Sequence, residues 1–440
     1  MLCIMLPLAS LGPLEAQTPT AEAPSAERDA VEFNLREGTP NIFDKLSHGN
    51  PVKIAYLGGS ITAQEGWRVQ SRAWLKRQFP ETGIEEINAA IGGTGSDLGV
   101  FRIQSDVLDH KPDLLFVEFA VNDAKALPER IRKAVEGIVR KTWRELPGCD
   151  IVFVYTITLD DIETLKSGKV QRSAGVMEEV ADHYGIPSVH FGIEVARLER
   201  EGKLVMKSAD GEMTRVSGSE LDAAADLPTN AQGQIVFSKD GVHPYPETGH
   251  RLYTRALVNA LSALRKTEAP PQLHTLKPAL VKENWETARQ ISLTPGLLEG
   301  PAAQADQAKG VGKEFLHRVS SLWKLEPGAV LRFKFKGTKA ALYDLLGPDG
   351  CMLEITVDEK ARKITRFDGY CTYYRLGILN IADNLPDSVH EVTLKVLDES
   401  PDKTGILFER NRDDLLKHPE KYNRLNWYAG AILVVGEIVE

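Results

Sequence analysis

The stretch Val-Lys-Ile-Ala-Tyr-Leu at residues 52–57 leads directly into Gly58-Gly59-Ser60-Ile61-Thr62. It is one of several short apolar runs that alternate with amphipathic segments between residues 52 and 266. The runs are Val52–Leu57, Ile84–Ile91, Leu114–Val121, Ile151–Thr156 and Ser188–Phe191. Apolar strands that are separated by helices are typical of a parallel sheet covered on both faces. The pattern therefore predicts an α/β fold with helices on either side of one parallel sheet.

Helix-like segments fill the intervals between these runs. They are Trp67–Phe79, Leu98–Asp109, Pro128–Arg144, Val170–His183 and Gly192–Glu201, and a last helix is predicted over Pro246–Leu264. The segment Lys203–Phe237 is polar and has no clear period, and a loop of that length is usually functional or disordered. Ligands of parallel α/β sheets bind beyond the carboxyl ends of the strands, so the residues that follow each apolar run are the candidate site residues.

The composition changes beyond Thr267. Prolines at 270, 271 and 278 predict a linker, and from about Leu293 short strands and turns succeed one another. The predicted strands are Val330–Lys336, Ala340–Tyr343, Met352–Val357, Val389–Val396 and Ala429–Val435. Turns are predicted at 347–350 and 358–359, and one helix over Arg412–His418. Successive strands without helices between them favour a β-sandwich.

Composition and charge argue against several classes of function. The 440 residues include 53 basic and 62 acidic side chains, for a net charge of −9, and there is no dense Lys/Arg run. Nucleic-acid binding needs a basic face, so no nucleic-acid partner is expected. No stretch approaches the roughly 18 apolar residues of a membrane span, so no span is expected either. The sequence leaves the oligomeric state open.

The N-terminus has the pattern of an export signal, because residues 1–11 are almost wholly apolar and Ala16 precedes a polar tract. A short buried helix is the alternative, but Pro7 and Pro13 interrupt the run. No Lys or Arg precedes the apolar core, which is atypical of a signal. We predict a signal peptide at 1–16 and a periplasmic or secreted location. The other predicted units are a disordered spacer at 17–31, an α/β domain at 32–266, a linker at 267–290 and a β-sandwich accessory domain at 291–440.

Cysteine usage is sparse. Cys3 falls within the predicted signal, and Cys149, Cys351 and Cys371 remain. Cys351 and Cys371 either pair in an oxidising compartment, which is worth about 3 kcal/mol, or are two buried thiols in strands. No Cys or His cluster has the spacing of a metal site, so no structural metal is expected.

A serine and a distant histidine have the features of a nucleophile and its base. Two glycines before Ser60 allow a tight turn and leave room above its hydroxyl. A phosphate-binding loop or a capping serine is the alternative, but neither GxGxxG nor GxxxxGK[ST] occurs here. The segment 240–244 supplies His243, which can take and return a proton at neutral pH, and Asp240, which can orient it. A DxxH segment taken alone is often a helix cap with a surface histidine.

Two further motifs follow strand ends. Gly92-Gly93-Thr94-Gly95 comes after the second apolar run, and Ala120-Val121-Asn122-Asp123 comes after the third. A glycine N–H and an asparagine amide are suitable donors to an oxyanion in acyl transfer, where each donor is worth about 3 kcal/mol. Each motif alone is only a turn signal. Four motifs in order at strand ends together favour an acyl-transfer site.

As a set, Ser60, Gly93, Asn122 and His243 resemble the four residues that name the SGNH (GDSL-like) hydrolase superfamily. In the second block, Asn88-Ala89-Ala90-Ile91-Gly92-Gly93, Gly92 is the alternative to Gly93. The resemblance covers about residues 50–265. It implies a flavodoxin-like αβα sandwich with a shallow site at the strand ends, and it makes 32–266 the hydrolase domain.

The chain departs from the family pattern at two positions. Gly59 stands where the first block usually has aspartate, and Ala120 replaces a glycine in the third block. The resemblance still implies two-step ester hydrolysis, with Ser60 as nucleophile, His243 as general base and Asp240 as its orienting partner. The oxyanion hole that it implies consists of Ser60, Gly93 and Asn122. No metal and no organic cofactor is implied.

The superfamily includes lipases, thioesterases, lysophospholipases and many carbohydrate O-acetylesterases. The export signal, the appended β-sandwich, and motif variants that resemble those of bacterial polysaccharide-acting members favour the last class. Segments 335–338, 347–350 and 355–358 are also similar to the jelly-roll domain attached to some carbohydrate esterases. The expected activity is hydrolysis of O-acetyl esters on a glycan. A lipid or thioester hydrolase is the alternative enzyme, and a glycan-binding protein on a degenerate esterase scaffold is the alternative outside enzymes.

Other residues near the motifs have weaker assignments. Trp67, Arg68 and Tyr245 are candidate substrate contacts, because they lie close to Ser60 or His243 in the sequence. Glu118 and His190 are interpreted as structural residues. Three aromatic residues of the second region either stack on sugar rings or belong to the sandwich core. They are Trp323, Trp427 and Tyr428.

Overall fold

The structure is a computed structural model that describes residues 27–208, 225–267, 270–316, 318–319 and 321–439. The predicted signal peptide and most of the predicted spacer lie outside the described residues, as does the middle of the polar segment Lys203–Phe237. None of the helices in the described part of the chain has the length and apolar character needed to cross a membrane.

The first half of the chain is built on a six-stranded sheet with the order β1-β6-β5-β4-β2-β3. Its strands are β1 (Phe33–Asn34), β2 (Val52–Gly58), β3 (Ile84–Ala90), β4 (Leu114–Glu118), β5 (Asp150–Tyr155) and β6 (Ser188–His190). Strands β2 to β6 are parallel, and β1 pairs antiparallel with the edge of β6. Counted from β2, the parallel order is the 2-1-3-4-5 of flavodoxin-like folds. The predicted parallel αβα sandwich is confirmed.

Helices cover both faces of this sheet and enclose a separate apolar cluster on each side. Helices α4, α5 and α7 pack on one face, and α1, α3, α8 and α9 pack on the other. The helices are α1 (Pro40–Ser47), α2 (Ser60–Ala63), α3 (Trp67–Gln78), α4 (Ser96–Asp106), α5 (Pro128–Glu145), α6 (Ile162–Lys166), α7 (Arg172–Tyr184), α8 (Gly192–Arg200) and α9 (Gly249–Arg265). Burial of both sheet faces is why the strands are apolar throughout rather than alternating.

The ends of the polar segment are extended rather than irregular. Strands β7 (Leu204–Lys207) and β8 (Ile235–Ser238) pair in parallel as a small second sheet. Four residues are too few for a strand period to stand out in a polar sequence. The described ends of this segment therefore correct the expectation of a structureless loop.

The C-terminal part is an antiparallel ten-stranded sheet, which confirms the predicted all-β accessory region. Its strands are β9 (Ala288–Ser292), β10 (Leu298–Glu299), β11 (Ala302–Gln304), β12 (Trp323–Leu325), β13 (Val330–Leu346), β14 (Met352–Val357), β15 (Lys360–Thr365), β16 (Arg375–Ala382), β17 (Ser388–Val396) and β18 (Trp427–Val439). Its helices are α10 (Gly310–Phe315), α11 (Lys403–Ile406) and α12 (Arg412–Lys417).

One prediction for this region is wrong, because 330–336 and 340–343 belong to a single strand, β13. The first half of β13 pairs with β17 and the second half with β16, while β18 follows both halves. The register shifts at Gly337, which pairs with Gly436, and both glycines have positive φ. A Cβ on Gly337 would lie 2.9 Å from the Gly436 Cα. The two glycines let the long strands pass closely and bend from one layer to the next.

The two halves of the chain share a packed seam along α4 and α5. The Trp285 ring is buried 6.1 Å from the ring of Phe101 on α4, and the ammonium of Lys339 on β13 lies 5.0 Å above it. The buried Lys141 ammonium of α5 donates hydrogen bonds to Val100 O at 3.0 Å and to Ala288 O at 2.8 Å. Residues of the predicted linker at 267–290 therefore pack against the α/β half.

The described end of the predicted spacer contacts the α/β half, where Arg28 pairs with Asp182 at 2.6 Å.

In the described residues Cys149, Cys351 and Cys371 are free, buried thiols, and burial raises the pKa of Cys351 and of Cys371 to about 12. The structure therefore contains buried thiols rather than the disulfide.

Candidate active site

The candidate residues are positioned by the carboxyl ends of adjacent strands. Ser60 is the first residue of α2, directly after β2, with Gly59 in an extended conformation before it. Gly92 and Gly93 follow β3, and Asn122 follows β4. Because β2, β3 and β4 are parallel, these residues meet at one edge of the sheet.

Ser60, His243 and Asp240 form a continuous chain of hydrogen bonds. The Ser60 Oγ lies 2.9 Å from His243 Nε2, and His243 Nδ1 lies 2.7 Å from Asp240 Oδ2. The other carboxylate oxygen of Asp240 accepts the backbone N–H groups of Val242 at 2.9 Å and His243 at 2.8 Å. Although 183 positions separate Ser60 from His243 in the sequence, their side chains are within bonding reach in the fold.

The protonation states of Asp240, His243 and Ser60 follow from the hydrogen bonds around them. Partial burial raises the pKa of Asp240, but hydrogen bonds from the His243 side chain and from backbone N–H groups outweigh burial and hold that pKa below its usual value. An ionised Asp240 accepts the proton on Nδ1, so Nε2 presents a lone pair to the hydroxyl of Ser60. Ser60 can then donate its proton to Nε2, which is the first step that a serine nucleophile needs.

The site is open to solvent. The His243 side chain is 41% exposed and the Asp240 side chain is 50% exposed. The exposed Leu159 lies beside this loop, where its N–H donates to Gly241 O at 2.7 Å. Gly241 has a φ of +85°, which allows the chain to turn between Asp240 and His243. An open, shallow site can accept an ester on a large substrate.

Gly59 is the residue that departs from the usual first block, and the structure gives a steric reason. A Cβ at this position would lie 2.8 Å from the side-chain carbon Cγ of Asn122 and closer still to its Oδ1. The Asn122 side chain thus occupies the space that a side chain at residue 59 would need. Asn122 itself forms no side-chain hydrogen bond within the described part of the chain, so its amide is available to a ligand.

Asp123 fixes the turn that carries Asn122. Its Oδ1 accepts the N–H of Ser96 at the start of α4 at 3.1 Å, and its backbone N–H donates to Phe119 O at 2.9 Å. Burial raises the pKa of Asp123 to about 7. The two contacts hold Asn122 between the end of β4 and α4.

The two glycines of the second block differ in their surroundings. A Cβ on Gly92 would lie 3.5 Å from the Ser60 Cβ, whereas a Cβ on Gly93 would meet nothing within 4 Å. Gly93 has a φ of +74°, which favours glycine. Gly92 therefore packs beside Ser60, and Gly93 shapes the turn on the open side.

A buried carboxylate, Glu118, lies beneath the serine. It accepts hydrogen bonds from Thr62 Oγ1 at 2.8 Å and from Thr156 Oγ1 at 2.6 Å, as well as from the backbone of Gly59. Burial raises the pKa of Glu118 and these hydrogen bonds oppose it, with a net rise. The structural interpretation of Glu118 agrees with these contacts, which tie the ends of β2, β4 and β5 together.

Two of the predicted substrate contacts are wrong. Trp67 is fully buried, with its ring 5.4 Å from that of Tyr56 and 5.3 Å from that of Phe191. Arg68 is also buried, where it donates to Thr62 O at 3.0 Å and pairs with Glu86. Both side chains stabilise the base of the site, because a helix that starts this close to a strand end buries its first turn.

The remaining residues singled out in the sequence differ in their exposure. Tyr245 is partly exposed beside His243 and stays a candidate substrate contact. Trp427 is buried in the core of the accessory region, Tyr428 is buried in the apolar cluster that this region shares with the α/β half, and Trp323 is only partly buried. His190 is buried against Gln171, and burial lowers its pKa to about 3, in keeping with a structural role.

His250 is a supporting residue that the sequence did not reveal. It is buried in α9, accepts the N–H of Trp67 at 3.1 Å and lies 3.1 Å from Gln64 Oε1 through Nε2. Burial lowers the pKa of His250 to about 3, so the ring is neutral. A single histidine inside an amphipathic helix carries no signal of such a role.

A second Ser–His–Asp arrangement occurs in the accessory region. Ser388 Oγ lies 3.2 Å from His390 Nε2, and His390 Nδ1 lies 2.6 Å from Asp358 Oδ2. Here, however, Nε2 also lies 2.8 Å from Pro386 O, which can only accept a hydrogen bond. Both ring nitrogens therefore carry protons, and His390 cannot take a proton from Ser388. Of these two arrangements in the described residues, the one at Ser60 leaves a basic nitrogen facing the hydroxyl.

The described residues contain no group of three or more His, Cys, Asp or Glu side chains placed to hold a metal ion.

Comparison with known proteins gives matches for both the sequence and the fold. Residues 56–252 match the model of the GDSL-like lipase/acylhydrolase family. The uncharacterized lipoprotein YqeF of Bacillus subtilis (strain 168) is 32% identical over 82 residues, which cover 17% of this chain. The match spans 34% of YqeF, so the chain aligns with about a third of the length of this curated relative.

Two solved structures are similar over most of the chain. A two-domain esterase (CEX) active on acetylated mannans has a TM-score of 0.67 at 19% identity, covering 92% of this chain and 98% of that one. The same esterase co-crystallized with mannopentaose has a TM-score of 0.64 at 19% identity, covering 91% and 94%. At this identity, the similarity establishes the shared two-domain fold. The family match over residues 56–252, just under half of the chain, makes this part of the chain similar to the GDSL-like lipase/acylhydrolase family.

Proposed function

We propose that the chain is a serine esterase that removes O-acetyl groups from a carbohydrate through an acyl-serine intermediate. The observation that carries the proposal is the hydrogen-bond chain from Ser60 Oγ through His243 to Asp240, with Nε2 free to accept a proton. These three side chains lie at an exposed edge of the sheet. Beside them is the amide of Asn122, which has no side-chain hydrogen bond within the described residues.

The mechanism has two halves. Ser60 transfers its hydroxyl proton to His243 Nε2 while Oγ attacks the acetyl carbonyl, and the resulting oxyanion accepts hydrogen bonds from the N–H groups of Ser60 and Gly93 and from the Asn122 amide. The sugar hydroxyl leaves with the proton from Nε2, and acetyl-Ser60 remains. Water then attacks the acetyl group, gives a proton to Nε2, and acetate departs as Ser60 regains its proton. Asp240 holds the ring and stabilises its charged form.

The choice of a carbohydrate ester is supported by the open site and by the similar two-domain esterase that acts on acetylated mannans. A long acyl chain needs an apolar channel, whereas Leu159 is the exposed large apolar side chain at the His243 loop. Tyr245, partly exposed beside His243, is the proposed contact to the sugar. The proposed location is periplasmic or secreted, supported by the apolar run at residues 1–11 and the polar tract that follows.

The test is acetate release from a set of acetylated polysaccharides, with acetylated mannan and acetylated xylan as the first two. We expect acetate from at least one of them, and hydrolysis of p-nitrophenyl acetate at least about tenfold faster than that of p-nitrophenyl octanoate, since the described side chains of the site, Ser60, Asp240 and His243, are polar and open to solvent. A preference for octanoate without acetate release from any polysaccharide would establish a lipid esterase instead.

Replacement of Gly59 by alanine tests the oxyanion site. Gly59→Ala should lower kcat/KM for p-nitrophenyl acetate by about 10²-fold, because its Cβ displaces the Asn122 amide that stabilises the oxyanion. Gly296→Ala is the matched control, since a Cβ there meets nothing within 4 Å and its φ is not positive. An unchanged rate in Gly59→Ala would remove Asn122 from the proposed mechanism.

A further inference from the structure

All the exposed aromatic side chains in the described residues lie in two neighbouring loops of the accessory region. They are Tyr370, Tyr373 and Phe408, whose residues are 46%, 57% and 43% exposed. Tyr370 and Tyr373 belong to the loop before β16, and Phe408 follows α11. We call these three residues the aromatic patch. Contiguous exposed apolar patches of a few hundred Å² are often functional surfaces.

The rings of the patch are arranged together with positive charge. The rings of Tyr370 and Phe408 meet edge to face at 4.7 Å with an interplanar angle of 83°. The guanidinium of Arg410 lies 5.9 Å from the Tyr370 ring and 5.4 Å from the Phe408 ring. Arg410 forms no ion pair or hydrogen bond in the described part of the chain, so its donors are available to a ligand. The patch thus combines apolar ring surface with free hydrogen-bond donors.

The loops that carry the patch are held by contacts of their own. A Cβ on Gly369 would lie 2.9 Å from the Phe408 ring, and Asn411 Nδ2 donates to Gly369 O at 2.7 Å, so the two loops are joined closely. Beneath them is a small apolar cluster that is distinct from the sandwich core. Its buried members are Leu346, Phe367, Cys371, Leu407 and Tyr422.

A buried lysine at the start of α11, the helix that precedes Phe408, ties this helix to the neighbouring segments. The Lys403 ammonium donates to the backbone carbonyls of Pro348 at 3.0 Å, Tyr422 at 2.7 Å and Arg424 at 3.2 Å. A buried ammonium with three acceptors orders all three segments at once. The patch is therefore preorganised, which lowers the entropy cost of binding a ligand.

The size of the patch decides the class of ligand. An aromatic side chain offers about 150–250 Å² of surface, so three rings that are roughly half exposed present about 300 Å². A stable protein partner needs about 800 Å² on each side, which the rings do not supply. A pyranose ring has an apolar C–H face that can lie on an aromatic ring, and a rim of hydroxyl groups that can accept from Arg410 and from the tyrosine hydroxyls.

We propose that the aromatic patch binds pyranose rings of a glycan chain as a second binding site of the protein, an inference that rests on the proposed function for the identity of the chain as a glycan. The patch would hold the polymer while Ser60 acts on its acetyl groups.

The test measures binding without turnover. Ser60→Ala protein is run in native gels that contain soluble mannan or xylan, each in acetylated and deacetylated form, and the retardation gives the affinity. Adding Tyr373→Ala, Tyr370→Ala or Phe408→Ala should weaken retention by at least about tenfold on a polymer that retards the parent. Tyr373 has the most exposed ring of the three, so Tyr373→Ala is the variant that least disturbs packing. Leu416→Ala is the matched control, because Leu416 is 74% exposed on α12 and makes no part of the patch.

The outcomes separate this inference from the proposed function. Retention that falls in the patch variants and not in Leu416→Ala supports the patch, even when unmutated protein releases no acetate from the same polymer. The inference is overturned if the parent is retarded by none of the four polymers, if the patch variants bind as the parent does, or if they change only the oligomeric state on a sizing column. Acetate release that persists in that case leaves the proposed function intact.

Discussion

Ser60→Ala is expected to lower kcat/KM for p-nitrophenyl acetate by about 10⁴-fold or more. The hydroxyl 2.9 Å from His243 Nε2 is the nucleophile of the proposed mechanism, and without it no acyl-enzyme forms. The binding of the ester and the oxyanion donors remain, so a small residual rate over water is expected. Initial rates by absorbance of p-nitrophenolate measure the effect, with circular dichroism as the check of folding.

The chain provides a matched control for this experiment. Ser388 has the same residue type and a similar neighbourhood, with a histidine at 3.2 Å that is in turn bound to an aspartate. Because Pro386 O accepts the Nε2 proton of His390, Ser388→Ala should leave the rate unchanged. A loss in Ser388→Ala equal to that in Ser60→Ala would assign the hydrolysis to the accessory region and reject the site at the sheet edge.

Asp240→Asn is expected to lower kcat by about 10³-fold, somewhat less than the serine substitution. The amide can still meet Nδ1, but it favours the wrong tautomer of His243 and cannot stabilise the charged ring. The Asp240 side chain is half exposed, so water can replace part of its effect. Thermal unfolding should change little in this variant. A rate within threefold of the parent would show that His243 needs no carboxylate partner.

Asp358→Asn is the control for Asp240→Asn, and the opposite result is expected. Its kcat should be unchanged, and its thermal stability should change. Burial lowers the pKa of His390, but Pro386 O and Asp358 outweigh burial, and the pKa is raised above its usual value. A histidine with a raised pKa stabilises the fold fully below its unfolded pKa of about 6.5, and this contribution is lost as the pH rises through the folded pKa.

The measurement is the Tm of both proteins across this pH range. The parent should exceed Asp358→Asn by a few degrees at pH 6, and the difference should shrink as the pH rises above the folded pKa. A difference that grows with pH would contradict the charged state assigned to His390.

The sequence was informative wherever the signal is local. The apolar runs predicted β2 to β6 to within a few residues, because strands buried on both faces must be apolar throughout. The parallel arrangement then explains why Ser60 and Asn122, which follow different strands, lie at one edge. The approach of His243 to Ser60 was expected from their chemistry as base and nucleophile and from the motif resemblance, since no local pattern specifies a contact across 183 positions.

The predictions that failed depend on packing that a linear pattern does not contain. Trp67 is near Ser60 in sequence, yet α3 turns its first residue into the core beneath the site. The break predicted within β13 spans residues 337–339, and the structure continues through it as one strand, in which Gly337 lets β18 pass closely. Tyr370 and Phe408 lie far apart in the chain, and only the fold brings their rings together.

Trp285 packs against both halves of the chain, so the two halves have to evolve together. Its ring sits between α4 and β13, and the Lys141 ammonium takes its acceptors from both sides of the same junction. A shortened protein that ended before this junction would expose the apolar surface of the helices that Trp285 covers. It would also leave the buried Lys141 ammonium without one of its two acceptors. We therefore expect that recombination cannot exchange the C-terminal half as a free module, and that any swap must also redesign the outward faces of α4 and α5.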